Sequence, residues 1–272
     1  MSILASSNPV LSDSSLDRML ASGGRAMASS TASVQGVMAK TGLCTILAVG
    51  AGAAGYSLVA TYPALLWISA IAGAVVSLIL FFAMMATPKA AMIGAPIYSI
   101  TQGVFLGALS FLLEQILLSR GIEAVGGLAL QAFVITGSLM ATMVALHTFG
   151  IIKAGPRFQS VLMLVTIGVG VMMLVSFLVS LFGVRLPFLD LGEAFNGGTA
   201  AWVGLGLNVG ILILASLWLL VDLAQIDEAV AAGAPKNLEW MLAFGLIVTL
   251  AWVYLEALKL AFRVAAMFNS RD

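Results

Sequence analysis

Two acids stand inside apolar stretches of this chain, and they are the residues best placed to do chemistry. Asp222 lies in Leu219-Leu220-Val221-Asp222-Leu223, and Glu256 lies in Trp252-Val253-Tyr254-Leu255-Glu256-Ala257-Leu258-Lys259. An ionisable group at membrane depth costs about 2.5–3.5 kcal/mol on insertion scales, so such a residue marks a functional site or finds a partner. Lys259 follows Glu256 by three residues on the same helical face, and Arg263 comes one turn later. Glu256 is then either the acid of an internal ion pair whose basic arms snorkel to the surface, or a carboxylate in an ion path. Asp222 is either an interfacial acid facing water, or a shielded carboxylate that titrates near neutral pH and acts as a gate. Both are weak candidates for touching a metal cation.

Several neutral or lone polar residues accompany them. Gln102 and Asn208 fall near the middle of apolar runs, where they hydrogen-bond across helices or face a water-filled path. His147 ends another run beside Thr148 and reads as an anchor or a pH sensor. Glu114 closes a run and reads as interfacial. Asp227, Glu228 and Glu239 flank the turn Gly233-Ala234-Pro235 and are expected to be solvated, either simply as loop acids or as a loose acidic vestibule that concentrates cations.

The elements that must position these groups are membrane-spanning helices. Only 9% of the 272 residues are charged and 61% are hydrophobic, and the mean hydropathy is +1.12. A spanning helix needs about 20 apolar residues, and lipid offers the backbone no partners, so each long run must close its hydrogen bonds as a helix. Seven runs qualify: 43–60, 64–86, 93–117, 128–147, 161–182, 201–222 and 238–263. The fifth carries no charge, and the seventh is the least clear because it holds Glu256, Lys259 and Arg263. The fold class expected is all-α, a polytopic seven-helix bundle spanning residues 41–272. Residues 1–40, rich in Ser, Ala and Gly, read as a polar, disordered cytoplasmic tail, with Leu16-Asp17-Arg18-Met19-Leu20 as an interfacial turn of helix. The tail has no apolar core and is not a cleaved signal peptide; the first span serves as insertion signal.

Composition excludes some functions. Twelve basic residues balance twelve acidic ones, and without a basic stripe nucleic-acid binding is disfavoured. One Cys, Cys44, and one His cannot build the usual zinc site. No Gly-x-Ser-x-Gly elbow is present, and the acids lack the setting of a membrane aspartyl protease, so the chain reads as non-enzymatic and without a cofactor. Basic residues set orientation: with the N-terminus inside, seven lie in cytoplasmic segments (Arg18, Arg25, Lys40, Lys89, Lys153, Arg157, Lys236) against five outside. The C-terminus is then outside.

Small residues recur every four positions at Ala95, Ser99, Gly103 and Gly107, again at Gly206 and Gly210, and at Ala51 and Gly55. Such rows let helix backbones approach closely. Pro96 is expected in the first turn of the third span, where proline is tolerated.

The stretch Val221-Asp222-Leu223-Ala224-Gln225-Ile226-Asp227-Glu228, the Gly233-Ala234-Pro235-Lys236 turn, and Glu239-Trp240 on through Tyr254-Leu255-Glu256-Ala257-Leu258-Lys259-Leu260 resemble the bacterial branch of the Bax inhibitor-1 family. So do Ser7-Asn8-Pro9-Val10, Tyr98 to Gly107 and Gly155-Pro156-Arg157-Phe158. The resemblance implies seven helices with a central one wrapped by the others, in a bacterial inner membrane. It implies a pH-sensitive calcium leak, with a pair of acids from the sixth and seventh helices as sensor; Asp222 matches the first and Glu256 the second. It also implies a link to a membrane AAA protease, as partner or modulator. Two departures stand out. Gln102 occupies a place where relatives often carry an acid, and the connection between the matched acids is longer. A hairpin turning near Ala234 sets Asp222 level with about Leu246, leaving Glu256 on the order of 15 Å deeper. A cation leak, with calcium as the transported ion, is the leading expectation; a regulator of a membrane protease or quality-control complex, gripped by its tail, is the alternative.

Overall fold

The computed structural model describes residues 31–152 and 154–269. Seven long helices account for most of these residues: α1 (Val34–Thr61), α2 (Leu66–Ala86), α3 (Ala91–Leu118), α4 (Leu128–Thr148), α5 (Pro156–Ser180), α6 (Thr199–Ala231) and α7 (Leu238–Asn269). All seven are long and apolar enough to cross a membrane, and the protein is an integral membrane protein.

Local sequence sets the breaks. Tyr62 and Thr87 precede prolines, which push them out of the helical region and end α1 and α2. Pro63 and Pro88 then start short 3-10 turns that feed the next helix. Pro156 occupies the first turn of α5, where its missing N–H is no loss. Gly233 takes φ +71° after α6, and Ala234 and Gly233 donate back to Ala229 and Val230. Only glycine holds that conformation without strain, so the chain reverses there into α7.

The helix ends differ from the expected runs in an informative way. α1 begins at Val34, so residues 34–40, read as part of a disordered tail, are helical and include Lys40. Ser33 caps this helix, its side chain accepting from the Gly36 N–H. Just before it, Ala32 donates to the Ala234 carbonyl at 2.7 Å and Thr31 bridges Pro235. The chain is thus pinned to the α6–α7 turn. The interfacial helix expected near Leu16 lies outside the described residues. α3 starts at Ala91, so Pro96 sits in the second turn rather than the first.

The last helix is the hub. α7 packs against α1, α3, α4 and α6, and 67% of its most apolar window is buried, against 6% for α5. The helix whose charges made it the least clear run is the best enclosed, because those charges find partners inside the bundle. Phe244 of α7 meets Tyr98 of α3 edge to face, ring centroids 5.0 Å apart. α2 and α5 lie outside and turn large apolar side chains outward, among them Trp67, Ile79, Leu164 and Phe177. That surface suits lipid.

The closest helix pair is α1 with α3. A Cβ placed on Gly103 would strike the Ala48 carbonyl, and one on Gly107 the Gly52 carbonyl. Ser99, fully buried, returns its hydroxyl to the Ala95 carbonyl at 2.8 Å. The expected close row on α3 is therefore present. The row on α6 is not: Gly206 and Gly210 have open space where a Cβ would go. Their spacing is right but their face is outward. Gly204, two residues before Gly206 and on a different face, is the close position, set against the Arg263 guanidinium and the Phe188 carbonyl.

Candidate functional site

The candidate site is the seam between α6 and α7. Asp222 is 1% exposed, and α6 continues to Ala231, so the acid is well inside the helix rather than at its end. Its Oδ2 accepts from the Thr249 hydroxyl of α7 at 2.5 Å. The interfacial, water-facing reading of Asp222 does not hold. The run looked complete at Asp222 because the next two turns are amphipathic, with Leu223, Ile226 and Ala229 turned inward and Asp227 and Glu228 outward.

Glu256, 3% exposed, occupies a second layer of the seam. Asn208 of α6 donates its amide to Oε2 at 2.8 Å and to the Glu256 carbonyl at 3.2 Å. Lys259 pairs with Oε1 at 2.5 Å and keeps about a quarter of its side chain exposed, as an ion pair with a snorkelling arm requires. Arg263 behaves differently. It is 3% exposed, and its Nη2 donates at 3.3–3.4 Å to the Leu189 and Phe188 carbonyls of the α5–α6 loop. It does not snorkel, because that loop folds over it.

The two acids do not meet. Each is bonded across the seam by a polar group of the opposite helix, and their layers are seven residues apart on α7, about 10 Å along its axis. Asp222 is level with Thr249, three residues beyond the Leu246 expected for a simple hairpin. A cavity of about 30 Å³, room for one or two waters, touches Glu256, Asn208, Lys259 and Arg263. A groove of about 300 Å³ between α5, α6 and α7 also reaches Glu256 and Lys259. Asp222 lines neither.

Other candidates fall elsewhere. His147 ends α4 and its Nε2 lies 2.7 Å from Asp227 Oδ2, tying α4 to the end of α6. Gln102 is half-buried on α3, beside the Gly103 that meets α1. Glu114 accepts from the Tyr56 hydroxyl at 3.1 Å. Glu239 was expected in solvent and is instead 1% exposed. It pairs with Lys40, and its Oε1 accepts from the Ser33 N–H at 2.9 Å and the Ser33 hydroxyl at 3.3 Å. A vestibule built from Asp227, Glu228 and Glu239 therefore loses one of its three acids. Among the described residues no group of three or more His, Cys, Asp or Glu is placed to hold a metal.

Sequence reading missed Thr249 and Gln225. Gln225 sits one turn after Asp222, 7% exposed, and its amide nitrogen and oxygen have no partner among the described residues. The available signal was position: both are polar residues on the inward faces of long apolar helices.

A family model described as Bax inhibitor 1 like matches residues 8–266. The chain matches no curated protein and no solved structure. The match covers nearly the whole chain, and the protein belongs to the Bax inhibitor 1 like family.

Proposed function

We propose that this member of the Bax inhibitor 1 like family is a non-enzymatic cation leak, with calcium as the ion and Asp222 and Glu256 as the groups whose protonation governs passage. One observation carries the reading: two shielded carboxylates occupy successive layers of a single helix seam in a charge-poor bundle. Ionised, they offer oxygen ligands to a hard divalent ion. Protonated, they lose that attraction. Each layer adds a neutral oxygen, the Thr249 hydroxyl in one and Asn208 Oδ1, which has no partner among the described residues, in the other.

Lys259 acts as an internal counter-charge. It holds Glu256 Oε1, so a cation reaching this layer must displace the ammonium, which has the groove beside it to swing into. Leu219, Leu246 and Val253, each one turn from Asp222 or Thr249 along its helix, are fully buried, so passage at this layer requires α6 and α7 to separate. The proposed setting is a bacterial inner membrane with the N-terminus cytoplasmic, on the seven-to-five division of basic residues.

The protein reconstituted in liposomes should pass calcium, with a rate that changes across about pH 6–8, the range in which a functional titration is useful. Asp222→Asn and Glu256→Gln should each flatten that profile. Flux no greater than that of empty liposomes throughout the range rejects the reading.

A second reading has one observation behind it. Residues 31–33 are docked on the α6–α7 turn, so a membrane protease or quality-control partner gripping the segment before Thr31 would pull directly on the seam. Deleting residues 1–30 should then abolish partner co-purification and leave calcium flux intact.

A further inference from the structure

Arg263 is a cation in an enclosed place, and Asp190 and Glu256 meet its charge only at longer range. No carboxylate of the described residues lies within ion-pair distance of it. Its Nε and Nη1 are buried and have no hydrogen-bond partner among the described residues, and only Nη2 reaches the two loop carbonyls. A shielded guanidinium is costly until its donors and its charge are met. The acids nearest it are already engaged: Glu256 by Lys259 and Asn208, and Asp190 by Arg185 at 3.6 Å and by the Gly192 N–H at 2.8 Å. Among the groups that line the cavity, Arg263 and Lys259 stand against Glu256, with Asp190 acting on Arg263 from outside that lining.

The space beside this cation has the form of a lipid crevice. α5 joins α6 through its first half, where Leu162 packs on Trp218 and the Trp218 indole donates to the Thr166 hydroxyl at 2.8 Å. Beyond Thr166 a groove of about 300 Å³ opens, lined by Val169, Gly170, Met173, Ile211, Trp252 and Leu255. Met173 and Lys259 border both the groove and the Arg263 cavity. The cavity itself has room for one or two waters, so a phosphate reaches Arg263 only when these two long, unbranched side chains turn aside and join it to the groove. Depth agrees as well. α7 has 32 residues, about 48 Å against a hydrocarbon core of about 30 Å. Centred in that core, it projects about 9 Å past each face, which puts Arg263, six residues before Asn269, at the level of lipid glycerol and phosphate.

We propose that the crevice between α5, α6 and α7 binds an anionic phospholipid, its phosphate on the Arg263 guanidinium and one acyl chain along the groove. Nε and Nη1 lie on different edges of the guanidinium, and each has a donor left for a phosphate oxygen. The proposal stands apart from ion passage: a lipid can bind whether or not calcium crosses.

Native mass spectrometry of the full chain, released from membranes of phosphatidylglycerol and phosphatidylcholine with matched acyl chains, tests it. Retention of the anionic lipid should exceed that of the zwitterionic one by about tenfold, the effect of one desolvated charge-assisted contact. Arg263→Gln should bring the two to equality. Gly170→Leu, placed where a Cβ meets open space, should fill the groove without disturbing the fold and lower retention at least about fivefold; it decides the matter if the Arg263 variant does not fold. Equal retention of the two lipids by the unaltered protein, or unchanged retention in Gly170→Leu, overturns the proposal. So does displacement of the lipid by millimolar inorganic phosphate, which would make the site one for a free anion.

Discussion

Asn208 holds Glu256 twice, donating its one amide group to the carboxylate and to the main-chain carbonyl of the same residue. The contact fixes both the side chain and the helix turn that carries it, so α6 and α7 are registered at the point where the acid sits. Replacing Asn208 by Leu leaves a shielded carboxylate with Lys259 alone. A stability loss of about 1–3 kcal/mol is expected, the penalty for an unmet acceptor, read as a lower thermal midpoint in detergent. The double variant Asn208→Leu with Glu256→Leu should recover much of that loss, since no polar group is then stranded.

Thr249 should prove as sensitive as the acid it serves. Thr249→Val keeps the shape and removes the donor to Asp222 Oδ2. The expected loss is about 1.5–3 kcal/mol, the range for a hydrogen bond to a charged group, measured by urea or thermal unfolding. Thr249→Ser, which keeps the hydroxyl, should stay within about 1 kcal/mol of the parent. Equal losses for Val and Ser would show that the methyl group, and not the hydrogen bond, matters there.

Glycines of similar spacing should behave oppositely. Gly107→Ala sets a methyl on the Gly52 carbonyl and should destabilise by about 1–3 kcal/mol or prevent assembly. Gly206→Ala and Gly210→Ala meet nothing and should be neutral or stabilising by about 0.5–1 kcal/mol, the helix preference of Ala over Gly. Thermal unfolding of the three variants side by side separates the close helix face from the lipid face.

The clamp at the start of α1 gives a further expectation. Glu239→Ala removes the partner of Lys40 and the acceptor of the Ser33 N–H and hydroxyl. Breaking a pair with one buried member costs on the order of 3 kcal/mol. Amide exchange in residues 34–40 should quicken at least about tenfold, while the centre of α7 near Leu246 keeps its protection. Unchanged exchange in the first turns of α1 would mean that the clamp carries no stability.

The seven spans were legible because lipid makes apolar length decisive. So was the Glu256–Lys259 pair, which is local. The burial of Asp222 was one of two open readings, since the apolar run stops there while the helix goes on in an amphipathic register whose inner face only packing reveals. Glu239 looked like a loop acid because its partner is 199 residues away in sequence. Gly206 and Gly210 illustrate a different limit. In a bundle whose outside is as apolar as its inside, a four-residue repeat of small residues reports helix faces without saying which one meets protein.

The grip of Glu239 on Ser33 also bears on biogenesis. Ser33, which caps the first helix, is held by a residue that the ribosome adds 206 positions later, which at about 5–20 residues per second is a delay of roughly 10–40 seconds. Until then the leading helix can pair with α3, but its cap Ser33 lacks the carboxylate that holds it and the helix lacks the hub it rests on. A nascent chain truncated before its last transmembrane segment would carry a loose start, and that looseness distinguishes an unfinished molecule from a completed one.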